Sequence, residues 1–187
     1  MLKPIIALLF GLASLNGAMT VTIQESGADV VMSFSGSINT TDLDAGSSDT
    51  SQGLVEPVVG VLVVGPATST AVQEYDAKAS FPITGPTSFG TGAIGFADSG
   101  SGDIFGILSN GGFLLPSVYG SGTSLSGGST YSGSLNDLGL TAGTYNWSWG
   151  SGGGADSVTL TIVPEPGTYA AFFGLAALGF IIFRRRN

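Results

Sequence analysis

From Met19 to Val163, apolar and polar residues alternate in short stretches with period two, the pattern of strands that bury one face. Val21 and Ile23 alternate with Thr22 and Gln24, and Val30, Met32 and Phe34 alternate with Val31, Ser33 and Ser35. After Glu56-Pro57 comes a continuous apolar run, Val58-Val59-Gly60-Val61-Leu62-Val63-Val64, which predicts a central strand buried on both faces. Shorter runs follow at Ile94–Ala97, Ile104–Leu108 and Phe113–Leu115, and Gly65-Pro66, Asn110-Gly111 and Gly127-Gly128 read as turns between strands. The last unit predicts an antiparallel hairpin. Tyr145, Trp147 and Trp149 share one face, Gly150–Ala155 turns the chain, and Val158, Leu160 and Ile162 return on the same side. No long amphipathic window interrupts the strands. The expected fold is therefore mainly β, a single antiparallel β-sandwich or jelly-roll-like domain over residues 19–162.

Two segments break the pattern. Residues 1–18 place Lys3 before the apolar run Ile5–Leu15 and end in Asn16-Gly17-Ala18, the make-up of a secretory signal peptide cut after Ala18. Residues 169–183 form a second apolar block whose Phe172, Phe173, Leu175, Leu178, Phe180, Ile181, Ile182 and Phe183 cover every face of a helix. A helix of that length reaches about 23 Å, short of a hydrocarbon core of roughly 30 Å. The flanking Arg184, Arg185 and Arg186 can snorkel to the headgroups, so a transmembrane helix over about 168–183 with a cytoplasmic arginine tail is expected.

Immediately before this block stands Val163-Pro164-Glu165-Pro166-Gly167-Thr168. Val-Pro-Glu-Pro, a nearby Thr, a short apolar helix and a terminal arginine cluster, in that order, resemble the PEP-CTERM sorting signal over residues 163–187. The resemblance implies that an exosortase-type membrane protease recognises Val163, Pro164, Glu165, Pro166 and Thr168 and cuts near the prolines. The chain would then be a substrate, held in the membrane before processing. Pro164 and Pro166 remove two backbone donors and keep Glu165 extended, a form that proteases read. Ile23-Gln24-Glu25, Asp29-Val30-Val31, Gly36–Asn39, Gly143–Gly150 and Asp156–Leu160 also resemble stretches common in one group of these exported proteins, a likeness that implies a recurring passenger domain and leaves its molecular role open.

The chain has 187 residues, with no histidine and no cysteine, which excludes disulfides, imidazole catalysis and Cys/His metal sites. Its formal net charge is -8. Four of the five cations lie in the terminal segments, so residues 19–163 carry twelve carboxylates against Lys78 alone. That balance argues against nucleic acid as a partner.

Candidate chemistry is thin. Asp42-Leu43-Asp44-Ala45-Gly46-Ser47-Ser48-Asp49 has oxygens for Ca²⁺ but lacks the EF-hand spacing, and a solvated loop is the favoured reading. Asp98 and Asp103, around Ser99–Gly102, read the same way. Glycoside hydrolysis needs two facing carboxylates, and Glu25, Glu56 and Glu74 sit in no signature for it. Tyr119, Tyr131, Tyr145, Trp147 and Trp149 could form a sugar-stacking platform, but core packing explains the alternation of the two tryptophans and is preferred. Asn39-Thr40-Thr41 and Asn146-Trp147-Ser148 match the glycosylation sequon, yet a bacterial setting argues against modification. The expectation is an exported surface or matrix protein of a Gram-negative bacterium, structural or adhesive, not an enzyme and without a cofactor. A carbohydrate-binding module for extracellular polysaccharide is the alternative, and a carboxylate-based hydrolase a more distant one.

Overall fold

Val21, Ile23, Val30, Met32 and Phe34 do face one core, and their alternating partners face outward. The structure, a computed structural model, describes residues 18–164. The expected signal peptide up to Gly17, the membrane span and the arginine tail lie outside the described residues. In chain order the strands are β1 (Ala18–Ser26), β2 (Asp29–Gly36), β3 (Leu43–Ser51), β4 (Leu54–Glu56), β5 (Val61–Val64), β6 (Thr70–Ala77) and β7 (Gly95–Phe96). They continue with β8 (Ser99–Gly102), β9 (Phe105–Ile107), β10 (Phe113–Pro116), β11 (Leu125–Ser132), β12 (Gly143–Trp149) and β13 (Asp156–Val163). Six form one sheet in the order β12-β13-β1-β2-β11-β8, and seven form another in the order β3-β6-β10-β9-β5-β4-β7.

Both sheets bury one face in a shared core. Met19, Val21, Ile23, Trp147, Trp149, Val158 and Leu160 enter it from the six-stranded sheet, and Leu62, Val64, Phe105, Ile107, Phe113 and Leu115 from the seven-stranded one. Aromatic rings bridge the layers: Phe34 lies 5.7 Å from Phe105, and Phe113 lies 4.6 Å from Trp149. The opposite face of the seven-stranded sheet holds a smaller cluster of Val63, Val72, Ile104 and Leu114. That second cluster explains why Val61–Val64 reads as an unbroken apolar run.

Several sequence expectations need correction. The strand expected over residues 58–64 begins only at Val61. Pro57–Val59 is a 3-10 turn, because Pro57 fixes its own φ and Gly60 takes φ 70 to donate back to the Pro57 carbonyl. Gly127-Gly128 is no turn but the middle of β11, where a Cβ on Gly127 would strike the Asp103 carbonyl and the Phe34 ring. The acidic loop is largely the edge strand β3, paired with β6 from Leu43↔Ala77 to Ser51↔Thr70 with a bulge between Ala45 and Ser48. Apart from Leu43 its residues lie in solvent or nearly so, so no apolar alternation announces it. The run Ile94–Ala97 contributes only the two-residue strand β7, with Phe96 exposed. Finally, the sheets are not wholly antiparallel: β1 and β13 pair in parallel.

Candidate functional site

The sorting motif begins inside the fold. Val158, Leu160 and Ile162 anchor β13 in the core, while Thr159, Thr161 and Val163 alternate outward. β13 lies between β12 and β1, and its register with β1 runs from Ala18↔Ser157 to Gln24↔Val163. Val163 is thus the last paired residue, and Pro164, which has no N–H to give, ends the ladder. Glu165, Pro166, Thr168, Arg184, Arg185 and Arg186 lie outside the described residues. Because β1 and β13 run the same way, Ala18 and Val163 stand at opposite ends of the sheet. Ala18 itself belongs to β1, so a cut after it would leave Met19 as the first residue of a central strand.

The aromatic residues considered for a sugar-stacking platform mostly pack or tie down the fold. Trp147 is 2% exposed and Trp149 4%, so neither offers a ring face to a ligand. Trp149 donates from Nε1 to the Asn39 carbonyl at 3.3 Å, and Gly85 sits so close to Trp147 that a Cβ there would overlap the indole. Tyr145 packs on Phe89 at 6.0 Å and donates to the Thr141 carbonyl. The Tyr119 hydroxyl accepts from the Ile38 amide at 2.8 Å, and burial pushes its pKa up. Tyr131 is buried with no hydrogen-bond partner for its hydroxyl among the described residues, and desolvation, with the Asp98 charge behind it, holds that phenol neutral far into alkali.

Several of the carboxylates accept backbone amides. Glu56 on β4 and Glu74 on β6 are four strand steps apart, about 19 Å at sheet spacing. A glycosidase pair needs roughly 5–9.5 Å. Glu25 accepts the Leu135 amide at 2.8 Å, closing the loop after β11 against β1. Asp98 accepts the Ser132 amide, which lowers its pKa, and Asp103 accepts the Ser126 amide at 2.9 Å. Asp44 faces Asp76 across the β3–β6 pair, and the Asp49 carboxylate accepts the Thr50 amide. No group of three or more Asp or Glu among the described residues is arranged to hold a metal ion.

Sequence reasoning missed one polar knot, assembled from two separate segments, residues 39–42 and 151–156. Asn39 donates its backbone N–H to Asp156 Oδ2 at 2.6 Å and its side-chain amide to the Gly153 carbonyl at 2.8 Å. Asp42 accepts the Ser151 amide at 3.0 Å. Asn39 is therefore spent on packing the β12–β13 turn, whereas Asn146 is exposed and accepts from Thr159 at 2.9 Å. Beside the knot lies an open depression of about 410 Å³ lined by Phe81, Pro82, Trp149 and Asp156, among others.

Asp156 carries a pH signature. Its burial raises the pKa, against the lowering effect of the Asn39 and Ser157 amides. The native state then keeps the proton to higher pH than the unfolded chain does. Its contribution to stability is fully present below the unfolded value near ~3.9 and is lost as pH rises through the raised native one. In urea unfolding across mildly acidic pH, wild type should lose stability relative to Asp156→Asn as pH rises. A difference between the two that stays flat would contradict this account.

Residues 163–186 match the family model described as the PEP-CTERM protein-sorting motif. No curated protein and no solved structure matches the chain.

Proposed function

We propose that this chain is an exported surface protein held first in the membrane by residues 168–183 and then processed at its Pro-Glu-Pro motif by an exosortase-type protease. Its β domain is a passenger with a structural or adhesive role and no catalysis of its own. The observation that carries the sorting half is the match over residues 163–186, which starts at the last paired residue of β13. The strand ladder ends at Val163, immediately before the Pro-Glu-Pro motif that a protease would read.

The adhesive half draws on the outer face of the six-stranded sheet. Thr20 lies beside Thr159 and Thr22 beside Thr161 on the parallel pair, and Ser35 and Ser33 continue both rows on β2. Thr144 and Asn146 extend them on β12. These rows carry hydroxyls and an amide without a charge, a surface suited to neutral matrix polymers.

The test is fractionation of the wild type beside Pro164→Ala/Glu165→Ala/Pro166→Ala in an exosortase-bearing host. The wild type should yield a shortened, surface-exposed or released form, and the triple variant should accumulate at full length in the membrane. Equal full-length membrane pools for both would remove the processing reading.

A further inference from the structure

We infer that the end of the domain from which the chain leaves rests on the bilayer surface through Val58, Ile94 and Phe96. This rests on the proposal that residues 168–183 span the membrane.

The geometry begins at Val163. The preceding residue, Ile162, pairs with Gly143, the first residue of β12. The loop of residues 133–142 arrives there after crossing the same end of the sheet. Its Gly133 amide donates to the Ala28 carbonyl between β1 and β2, and its Leu135 amide donates to Glu25. Residues 88–96 lie against this loop: the Thr91 amide donates to the Gly139 carbonyl at 2.8 Å, and Leu138 lies beside Gly95. The Val58 amide in turn donates to the Gly92 carbonyl at 3.2 Å, and Phe96 pairs with Leu54. The exit end is thus ringed by Phe96, Ile94 and Val58, which are 54%, 50% and 48% exposed. Val59, 38% exposed, adjoins them.

Chain length selects the occupant. Four residues lie between Val163 and Thr168, the start of the expected span, so the reach is at most roughly 18 Å even when fully extended. Every anchored molecule therefore holds this end close to the headgroups, so contact with lipid is intramolecular and needs little intrinsic affinity. Aromatic and aliphatic side chains at that height enter the interfacial layer. The exposed carboxylates of Asp98 and Asp137 at the same end favour zwitterionic over anionic headgroups.

The chain has no cysteine, so a single introduced one labels uniquely. Ile94→Cys, Phe96→Cys and Val118→Cys, made in the full chain, carry a bimane label into phosphatidylcholine vesicles with or without brominated acyl chains. Val118 is the control: it is 92% exposed, next to Tyr119, whose hydroxyl bonds Ile38 beyond the far end of β2. Labels at 94 and 96 should be quenched by the brominated lipid roughly twofold or more, and the label at 118 should not. A chain that floats with the vesicles but shows equal quenching at all three sites overturns the docking and leaves the anchor standing. A chain that fails to float overturns the anchor, and the docking falls with it. Labels at 94 and 96 that are shielded equally in detergent and in vesicles, without quenching, identify a second copy as the occupant and also overturn the proposal.

Discussion

Ile23→Asp should abolish the native fold rather than soften it. Ile23 is fully buried on β1, with Ile162 of β13 on one side and Met32 of β2 on the other. The substitution removes about 1.5–3 kcal/mol of apolar burial. It also leaves a carboxylate among Val, Ile and Leu side chains with no cation to meet it, since Lys78 is the only one between Met19 and Val163. Stranding that charge costs several kcal/mol more, on the scale of the whole ~5–15 kcal/mol that holds a domain together. Thr22→Asp, one residue earlier on the solvent face, should change stability by about 1 kcal/mol or less. Near-UV circular dichroism reads the difference through the buried indoles. A native spectrum for Ile23→Asp would mean that β1 does not close the sheet as described.

Trp149→Ala should cost about 3–5 kcal/mol. The indole fills the space between β12 and Phe113, and its Nε1 ties down the Asn39 carbonyl at the polar knot. Trp149→Phe keeps part of the packing and loses only that bond with some volume, so its urea midpoint should fall between the alanine variant and wild type. The pair also separates two roles for this residue. A core indole moves the unfolding midpoint in that order. A sugar-stacking indole would leave the midpoint where it is and remove glycan binding, which would defeat the packing account.

Much of the fold is legible in the sequence where one face is apolar and the other is not. β1, β2, β12 and β13 all announce themselves in this way, as does the shared face of Tyr145, Trp147 and Trp149. The same rule fails where its premise fails. β3 is an edge strand whose exposed residues carry no apolar period, and β11 uses glycines for close approach where a sequence reader sees a turn. Val58-Val59 follows a proline that sets a turn despite its valines. The parallel partnership of β1 and β13 is invisible for another reason: alternation reports which face is buried, never which strand lies alongside. The sorting motif is legible because its parts are consecutive. The Asn39–Asp42–Asp156 knot is not, because its parts meet only after the sheets have formed.

The β1–β13 partnership also sets a clock. Ala18 and Ser157 are 139 positions apart, and the strands between them must be made before the two can meet. For a chain exported from its N-terminus, β1 emerges first and its second neighbour last, just ahead of the sorting motif. Loop closure over that separation is slow, and the sheet stays open at its middle until nearly the whole passenger has crossed. On the proposed export route, completion of the fold would coincide with arrival of the Pro-Glu-Pro motif at the membrane.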